Sequence, residues 1–244
     1  MKYLTIFFIP FALAAADEGT LQRMFDGKLN ATQRATACFE LRVDRSADAL
    51  NAMARALSDR DLRSCASTNL RVAGAVEELV KALSSEDAEV RATAARELGS
   101  FRKLELLYAL NQAAEDENPL VASNGLDALR EYDDPAVVPY LNTLATKGGM
   151  IGDMALDRLS QLAPTVSLRI ARELLASGQV PDKIYALRVI GALGDSSDVP
   201  SLREIAASAQ ENLEQRNRGF GLMPAINIAK VANTAIQSIQ SRQP

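Results

Sequence analysis

The chain has 244 residues, of which 48% are hydrophobic, 24% are charged and 5% are aromatic, and it contains 27 basic and 31 acidic side chains. This composition predicts a folded protein with a sizeable core and excludes an intrinsically disordered chain. The formal net charge of -4 argues against nucleic-acid binding, because phosphate recognition needs a concentrated basic face. Scarce aromatic residues and the absence of Trp favour short, closely packed helices over β-sheets.

The first sixteen residues have the pattern of a secretory signal peptide. Lys2 precedes a mainly apolar run, residues 3–13, and Ala14 and Ala16 provide the small side chains that signal peptidase requires. The apolar run is too short to span a bilayer. We therefore expect residues 1–16 to be removed and residues 17–244 to be exported to the periplasm or the extracellular space. An uncleaved anchor or a buried first helix is the alternative.

The segment from Leu79 to Gly99, LVKALSSEDAEVRATAARELG, predicts two short amphipathic helices joined by a turn. In the second helix, Val90, Ala94 and Leu98 follow one another at four-residue intervals and share one face. Neither helix can bury its apolar stripe alone. We therefore expect this unit to stack on copies of itself.

The pattern of that second helix recurs along the chain with a period of about thirty residues, which is typical of a helix-turn-helix solenoid. The positions equivalent to Leu98 are Leu41, Leu70, Leu129, Leu159, Leu193 and Ile239. The first helices of the pairs are expected near residues 20–29, 47–57, 73–83, 104–114, 136–145, 166–176 and 200–209, and an insertion, residues 210–223, precedes the last helix. The sequence therefore predicts an all-α fold of about seven helical pairs in residues 17–244, and we expect a curved, elongated monomer.

The decapeptide VRATAARELG, residues 90–99, resembles the second helix of a HEAT-like repeat of the short kind found in phycobilisome lyase-type proteins. The resemblance extends over residues 17–244, and it implies a right-handed α-α superhelix. Most members of this family are curved protein-binding scaffolds, some lyase-type relatives attach or handle bilins, and one branch binds metal through His-Glu motifs. This chain has no histidine, which excludes the metal-binding branch.

The absence of histidine also removes the commonest general base and the commonest zinc ligand. Acidic clusters recur at the predicted turns, and we interpret them as helix caps rather than as calcium ligands or a catalytic carboxylate pair. They are Glu86-Asp87, Asp116-Glu117, Asp133-Asp134 and Asp195 with Asp198. We therefore expect no catalytic residue, no cofactor and no bound metal.

Two further polar patterns have a structural and a functional interpretation. Arg34, Arg63 and Arg91 recur at one position of the repeat. They are expected to pair with an aspartate of a neighbouring turn, for example Asp87, and the alternative is recognition of an anionic ligand. Asn30 starts a glycosylation sequon. We favour a capping role for it, closed by a glutamine three residues later.

Cys38 and Cys65 are the only two cysteines, and an exported chain meets an oxidising environment. Cys38 lies three residues before Leu41 and Cys65 five before Leu70, so at about 100° per residue they flank the small core position on opposite sides. Two adjacent second helices then place the thiols face to face, and we predict a disulfide. If the stacking direction is reversed, the thiols point apart as two separate buried cysteines.

The remaining candidate surface is the exposed side of the second helices, which in a HEAT-like stack lines the concave face. Its mixed charges suit a protein or peptide better than a polyanion, although a merely solvated face is the alternative. The candidates on the helices are Thr36, Glu40, Thr93, Arg96, Glu97, Asn124, Asp127, Asp157 and Arg158, and a basic-apolar stretch of the insertion adds Arg216, Arg218, Phe220 and Leu222.

These observations predict an exported, non-enzymatic scaffold that binds a protein or peptide partner on its concave face. We expect no nucleic-acid partner and no membrane span after signal cleavage. The alternative is a small-molecule binder of the bilin type, or a lyase-like enzyme that uses an apolar groove.

Overall fold

The computed structural model describes residues 18–217 and 227–242, with side chains described for residues 18–209 and 227–242. Within these ranges the chain is helical and has no β-strand, which confirms the predicted all-α class. None of the helices in these ranges is both long enough and apolar enough to cross a membrane. The predicted signal peptide, residues 1–16, lies outside the described residues.

Fourteen α-helices in the described ranges form seven consecutive pairs, as the repeat pattern predicts. Most of the pairs are joined by a tight turn, and four short 3-10 turns precede or follow helices. The pairs are α1 (Glu18–Phe25) with α2 (Ala31–Glu40), α3 (Ala47–Ala56) with α4 (Arg63–Ala73), α5 (Val76–Ala82) with α6 (Ala88–Gly99), α7 (Leu107–Ala114) with α8 (Pro119–Arg130), α9 (Val138–Lys147) with α10 (Gly149–Leu162), α11 (Pro164–Ser177) with α12 (Val180–Leu193), and α13 (Val199–Asn217) with α14 (Ile228–Ser241).

The chain divides into two compact units, residues 1–101 and residues 102–244. In the first unit, the second helices α2, α4 and α6 contact one another in order, and the first helices α3 and α5 also contact each other. In the second unit, α8, α10, α12 and α14 form one row, and α7, α9 and α11 form the other. Each unit therefore has two layers, one of first helices and one of second helices, which is the stacking of a helical-repeat solenoid.

Polar residues at the turns fix where the helices begin. Asn30 accepts a hydrogen bond from the backbone N–H of Gln33, whose side chain accepts one from the N–H of Asn30, so the predicted capping box is present. Asp87 caps α6, and Asp134 and Asp195 cap 3-10 turns. These side chains satisfy N–H groups that have no partner within the helix, so the capping interpretation of the acidic clusters holds at all three positions.

The repeating apolar position of the second helices forms the core of each unit. The residue predicted for this position is correct in most second helices and wrong in α12. Leu70, Leu98, Leu129 and Leu159 are fully buried. In α12, however, the buried position is Ile190 rather than Leu193, because Leu193 is the last residue of the helix and remains partly exposed. The residue four positions before Ile190 is a fully buried alanine, as the repeat frame requires.

The predicted insertion, residues 210–223, is partly helical. Helix α13 continues to Asn217, so the backbone of Arg216 belongs to this helix and not to a loop. The residues that extend the helix include Glu, Gln, Leu and Arg, which are strong helix formers. Arg218, Phe220 and the side chain of Arg216 lie outside the described part of the chain.

Candidate partner-binding site

The recurring arginine of the first repeats is a structural residue. Arg34 Nε donates a hydrogen bond to the backbone oxygen of Met24 at 3.2 Å, and its guanidinium pairs with Asp59 in the next repeat. Partial burial acts to raise the pKa of Asp59, but the hydrogen bond from Arg34 and those from backbone N–H groups outweigh burial and lower it. Arg34 thus joins one repeat to the next through a half-buried ion pair.

Arg63 repeats this arrangement one repeat later. Its Nε donates to the backbone oxygen of Leu57 at 2.6 Å, and its guanidinium lies 3.3 Å from Asp87. Arg91 donates to the backbone oxygen of Ser85 at 2.9 Å. The predicted pairing with a neighbouring aspartate is therefore present at Arg34 and Arg63, and these guanidinium groups are used inside the fold.

Glu97, which the sequence places on the exposed side of the second helices, is in fact buried. Its carboxylate accepts hydrogen bonds from Ser67 Oγ at 3.1 Å, Arg71 Nε at 3.0 Å and a guanidinium N–H of Arg96 at 3.0 Å. Only 9% of its side chain is exposed, because α4 packs beside it. Glu97 therefore fastens α6 to α4, and Arg96 remains exposed beside it.

Arg158 needs a similar correction, because only 14% of its side chain is exposed. Its guanidinium donates to the backbone oxygen of Tyr132 at 2.9 Å and to Asp133 at 2.6 Å, so it holds the turn before α9. Asp127 and Asp157 are exposed, at 3.3 and 3.8 Å from the guanidinium of Arg130. Asp127 and Asp157 thus form ordinary ion pairs on a helix surface, whereas Arg158 has a structural role.

The structure joins Cys38 to Cys65 in the disulfide that the sequence predicts. The two Cα atoms are 6.4 Å apart, and the bond connects α2 to α4 within the first unit. Asn69, which is buried, donates a hydrogen bond from Nδ2 to the backbone oxygen of Cys38 at 2.7 Å. A covalent bond and a buried hydrogen bond therefore fix the spacing of these two second helices.

An apolar groove of about 560 Å³ lies between α2 and α4, beside the disulfide, and Cys65 contributes to its wall. Phe39, Val43 and Val72 line it and are unusually exposed for apolar side chains, at 57%, 73% and 53%. Contiguous exposed apolar residues on a soluble protein mark an interaction surface more often than isolated ones do. We call this surface the α2/α4 groove.

Two arginines border the α2/α4 groove. The guanidinium of Arg42 lies 4.3 Å from the centre of the Phe39 ring, and Arg45 donates to the backbone oxygen of Val72 at 2.9 Å. Neither arginine has a carboxylate partner among the described residues. The one carboxylate in the lining, Asp61, lies 3.8 Å from a guanidinium nitrogen of Arg34. The groove therefore combines apolar side chains with unneutralised positive charge.

Phe39, Val43 and Val72 are not among the residues that the sequence pattern predicts for a binding surface. A signal was present, because Val43 and Val72 each stand two residues after a repeat anchor, Leu41 and Leu70. An apolar residue on the polar side of two consecutive repeats is a departure from the helical pattern.

One other buried polar cluster lies in the second unit. Asp182 accepts hydrogen bonds from the backbone N–H groups of Gly149 at 2.8 Å and Gln179 at 3.0 Å. Asp153 is 4% exposed and its Oδ1 has no hydrogen-bond partner. Burial, together with repulsion from Asp182, raises the pKa of Asp153 to about 6. Within the described residues, no group of three or more His, Cys, Asp or Glu side chains is arranged to hold a metal ion.

Comparisons with known proteins agree with the helical-repeat architecture. The model of the HEAT repeats family matches residues 76–149, from the start of α5 to the start of α10. The crystal structure of Escherichia coli YibA is 16% identical and has a TM-score of 0.51, with 95% of this chain and 94% of that chain covered. At this identity the similarity to YibA shows the fold alone.

Two further solved structures are similar at lower TM-scores. The CpcE–CpcF complex of phycocyanin lyase from Nostoc sp. PCC7120 is 19% identical, with a TM-score of 0.42 and coverage of 92% of this chain and 97% of that chain. Human deoxyhypusine hydroxylase in complex with glycerol is 18% identical, with a TM-score of 0.40 and coverage of 92% and 96%. No curated protein sequence matches this chain.

Proposed function

We propose that this chain, a HEAT-like repeat protein whose residues 76–149 match the family, is an exported, non-enzymatic scaffold that binds a protein or peptide partner on its second helices. The observation that carries the proposal is the α2/α4 groove, where three exposed apolar side chains lie beside two arginines that have no carboxylate partner in the described part of the chain. Solenoid proteins commonly use the rows of their helices as extended binding surfaces.

The groove also indicates the chemistry of the partner. Completing the burial of Phe39, Val43 and Val72 contributes about 1 kcal/mol for each side chain, since each is already partly buried. A carboxylate of the partner that accepts hydrogen bonds from Arg42 or Arg45 adds about 1.5–3 kcal/mol. We therefore propose a peptide segment with one or two apolar anchor residues followed by an acidic residue.

The disulfide and the N-terminal segment support the proposal of export. Structural disulfides persist in oxidising compartments and are rare in the cytosol. Residues 1–16 have the composition of a signal peptide, and Cys38 pairs with Cys65 in the first unit. The lack of histidine in the chain supports a binding role over a catalytic one.

Site-specific photocrosslinking in the producing cell tests this proposal. A photoreactive p-benzoylphenylalanine is placed at Val43 or Val72 in the groove, and at Lys81 on the first helix α5 as the matched exposed control. We expect the same partner adduct from both groove positions and none from Lys81. Mass spectrometry of the crosslinked peptide should find an apolar residue next to an acidic one.

Charge reversal gives a second arm of the same experiment. Arg42→Glu should reduce the adduct at Val43 at least tenfold, whereas Lys81→Glu, which reverses another exposed cation, should leave it unchanged. Adducts of equal yield at the groove and control positions would overturn the proposal. A tightly bound small molecule in native mass spectra, without any protein adduct, would instead support the small-molecule alternative.

A further inference from the structure

A second groove, of about 410 Å³, lies between α12 and α14 in the second unit. We infer that this α12/α14 groove is a separate docking site for an acidic, amphipathic helical segment of a protein partner. The inference is independent of the α2/α4 groove, because it rests on different residues in the other compact unit.

The two helices that form the groove are held close together. A Cβ atom added to Gly191 would lie 3.0 Å from the Cα of Ala235, so the backbones are nearly in contact at this point. Arg242, the C-cap residue of α14, donates to the backbone oxygens of Gly191 at 2.6 Å and Gly194 at 3.0 Å. The groove is therefore preformed, which lowers the entropic cost of binding.

The floor of the groove suits the apolar face of a third helix. The lining contains the small residues Gly191, Ala192 and Ala235. An apolar strip that also includes Leu187 and Val231 runs between the two helices. Small residues let another helix approach closely, and a partner helix that lays apolar residues into a groove between two helices is a recurring mode of recognition.

The charges around the groove select the sign of the partner. Among the described residues, the charged members of the lining are Arg188, Lys230 and Arg242, with no Asp or Glu, although the whole chain has a net charge of -4. Arg188 and Lys230 are exposed and have no carboxylate partner among the described residues. A partner with acidic side chains beside its apolar face complements this groove, while a basic partner is repelled.

Fluorescence polarisation with a defined probe tests the inference on the exported chain. The probe is a fluorescein-labelled fifteen-residue peptide with leucines on one helical face and glutamates elsewhere, and its twin has lysines in place of the glutamates. We expect the glutamate peptide to bind with micromolar affinity and to weaken as salt is added, because exposed charges are screened. The lysine twin should bind at least tenfold more weakly.

Matched variants locate the binding. Arg188→Glu with Lys230→Glu should weaken the glutamate peptide at least tenfold, whereas Lys81→Glu with Arg203→Glu makes the same change in net charge on exposed residues outside the groove and should have no effect. Ala192→Leu should also weaken binding, because its exposed side chain would fill the floor. Thermal unfolding of each variant checks that the fold is retained.

Three outcomes would overturn the inference. The first is equal affinity for the two peptides. The second is an equal loss of affinity for the glutamate peptide in the groove and control double variants. The third is loss of glutamate-peptide binding in the Arg42→Glu variant, which changes the other groove. The third outcome would assign the peptide to the α2/α4 groove. If Arg42→Glu leaves peptide binding unchanged, the peptide assay tests the α12/α14 groove alone and its result does not bear on the proposed function.

Discussion

Removing the disulfide between Cys38 and Cys65 should destabilise the first unit and leave the second unit unchanged. The bond closes a loop between residues 27 apart in sequence, and both cysteines lie in residues 1–101. In the chain-entropy model a loop of this length restricts the unfolded chain by an amount equivalent to about 3.5 kcal/mol at 25 °C. Among the described residues the first pair stacks on the next pair alone, through α2 and α4, so α2 depends on this bond more than a helix between two neighbouring repeats would.

The test compares the wild type with the variant Cys38→Ala/Cys65→Ala by hydrogen exchange of backbone amides. We expect the opening free energy of amides in α2 and α4 to fall by about 3 kcal/mol, while amides in α12 and α14 keep theirs. Reducing the wild type separates the effect of the cross-link from the effect of changing the side chains. Reduction should reproduce most of the loss in opening free energy, and the variant should not respond to reductant.

Two results would refute this reasoning. A loss below about 1 kcal/mol would mean that the reduced chain already keeps α2 against α4 or that the unfolded state is compact. An equal loss in α12 and α14 would mean that the two units unfold as one cooperative body. Either result would also weaken the argument that the disulfide fixes the walls of the α2/α4 groove.

Three further predictions concern single positions. Gly125→Ala should cost about 3 kcal/mol by thermal unfolding, because the new Cβ would lie 2.3 Å from the backbone nitrogen of Ala114, whereas Gly27→Ala, with nothing within 4 Å, should cost almost nothing. Glu97→Ala should lower stability in urea by about 1–2 kcal/mol, since its arginine partners can return to water. Burial raises the pKa of Asp153 from 3.8 to about 6, so the folded chain binds this proton more tightly than the unfolded chain does. Stability should therefore fall as pH rises through this interval, and Asp153→Asn should flatten the slope and raise neutral-pH stability by about 1–2 kcal/mol.

The helical pairs could be predicted because every signal that defines them is local. An anchor such as Leu98, a small residue four positions earlier and a cap such as Asp87 lie within one helix and its turn. Packing of a helix on its own partner then follows from the apolar stripe. In α12 the sequence predicts Leu193 as the buried anchor, but Ile190 takes that position. This helix has apolar residues around most of its circumference, so the sequence alone does not show which of them faces the core.

The candidate site was harder to predict because the partners of its charged residues come from other repeats. Glu97 has the position of a solvent-facing residue in α6, and only the packing of α4 brings Arg71, 26 residues away, against its carboxylate. Arg158 is likewise covered by the turn that contains Tyr132. A single helix read by itself cannot show which of its polar side chains a neighbouring repeat will bury.

Charged residues of this fold divide into those that connect repeats and those that do not. In each of three connecting pairs an arginine binds an aspartate of the following repeat, at a similar separation of 24 to 26 residues. These pairs are Arg34 with Asp59, Arg63 with Asp87, and Arg172 with Asp198.

Some cations outside that periodic set have no carboxylate partner among the described residues. Arg42 and Arg45 border the α2/α4 groove, and Arg188 and Lys230 border the α12/α14 groove. In both units these cations lie beside apolar side chains in a cleft between two second helices. Arg42, Arg188 and Lys230 have no carboxylate partner among the described residues, so the proposed partners explain their position beside apolar clefts better than the stacking of repeats does. The apolar lining of both grooves favours acidic, apolar segments there over a general electrostatic attraction, which an overall charge of -4 opposes.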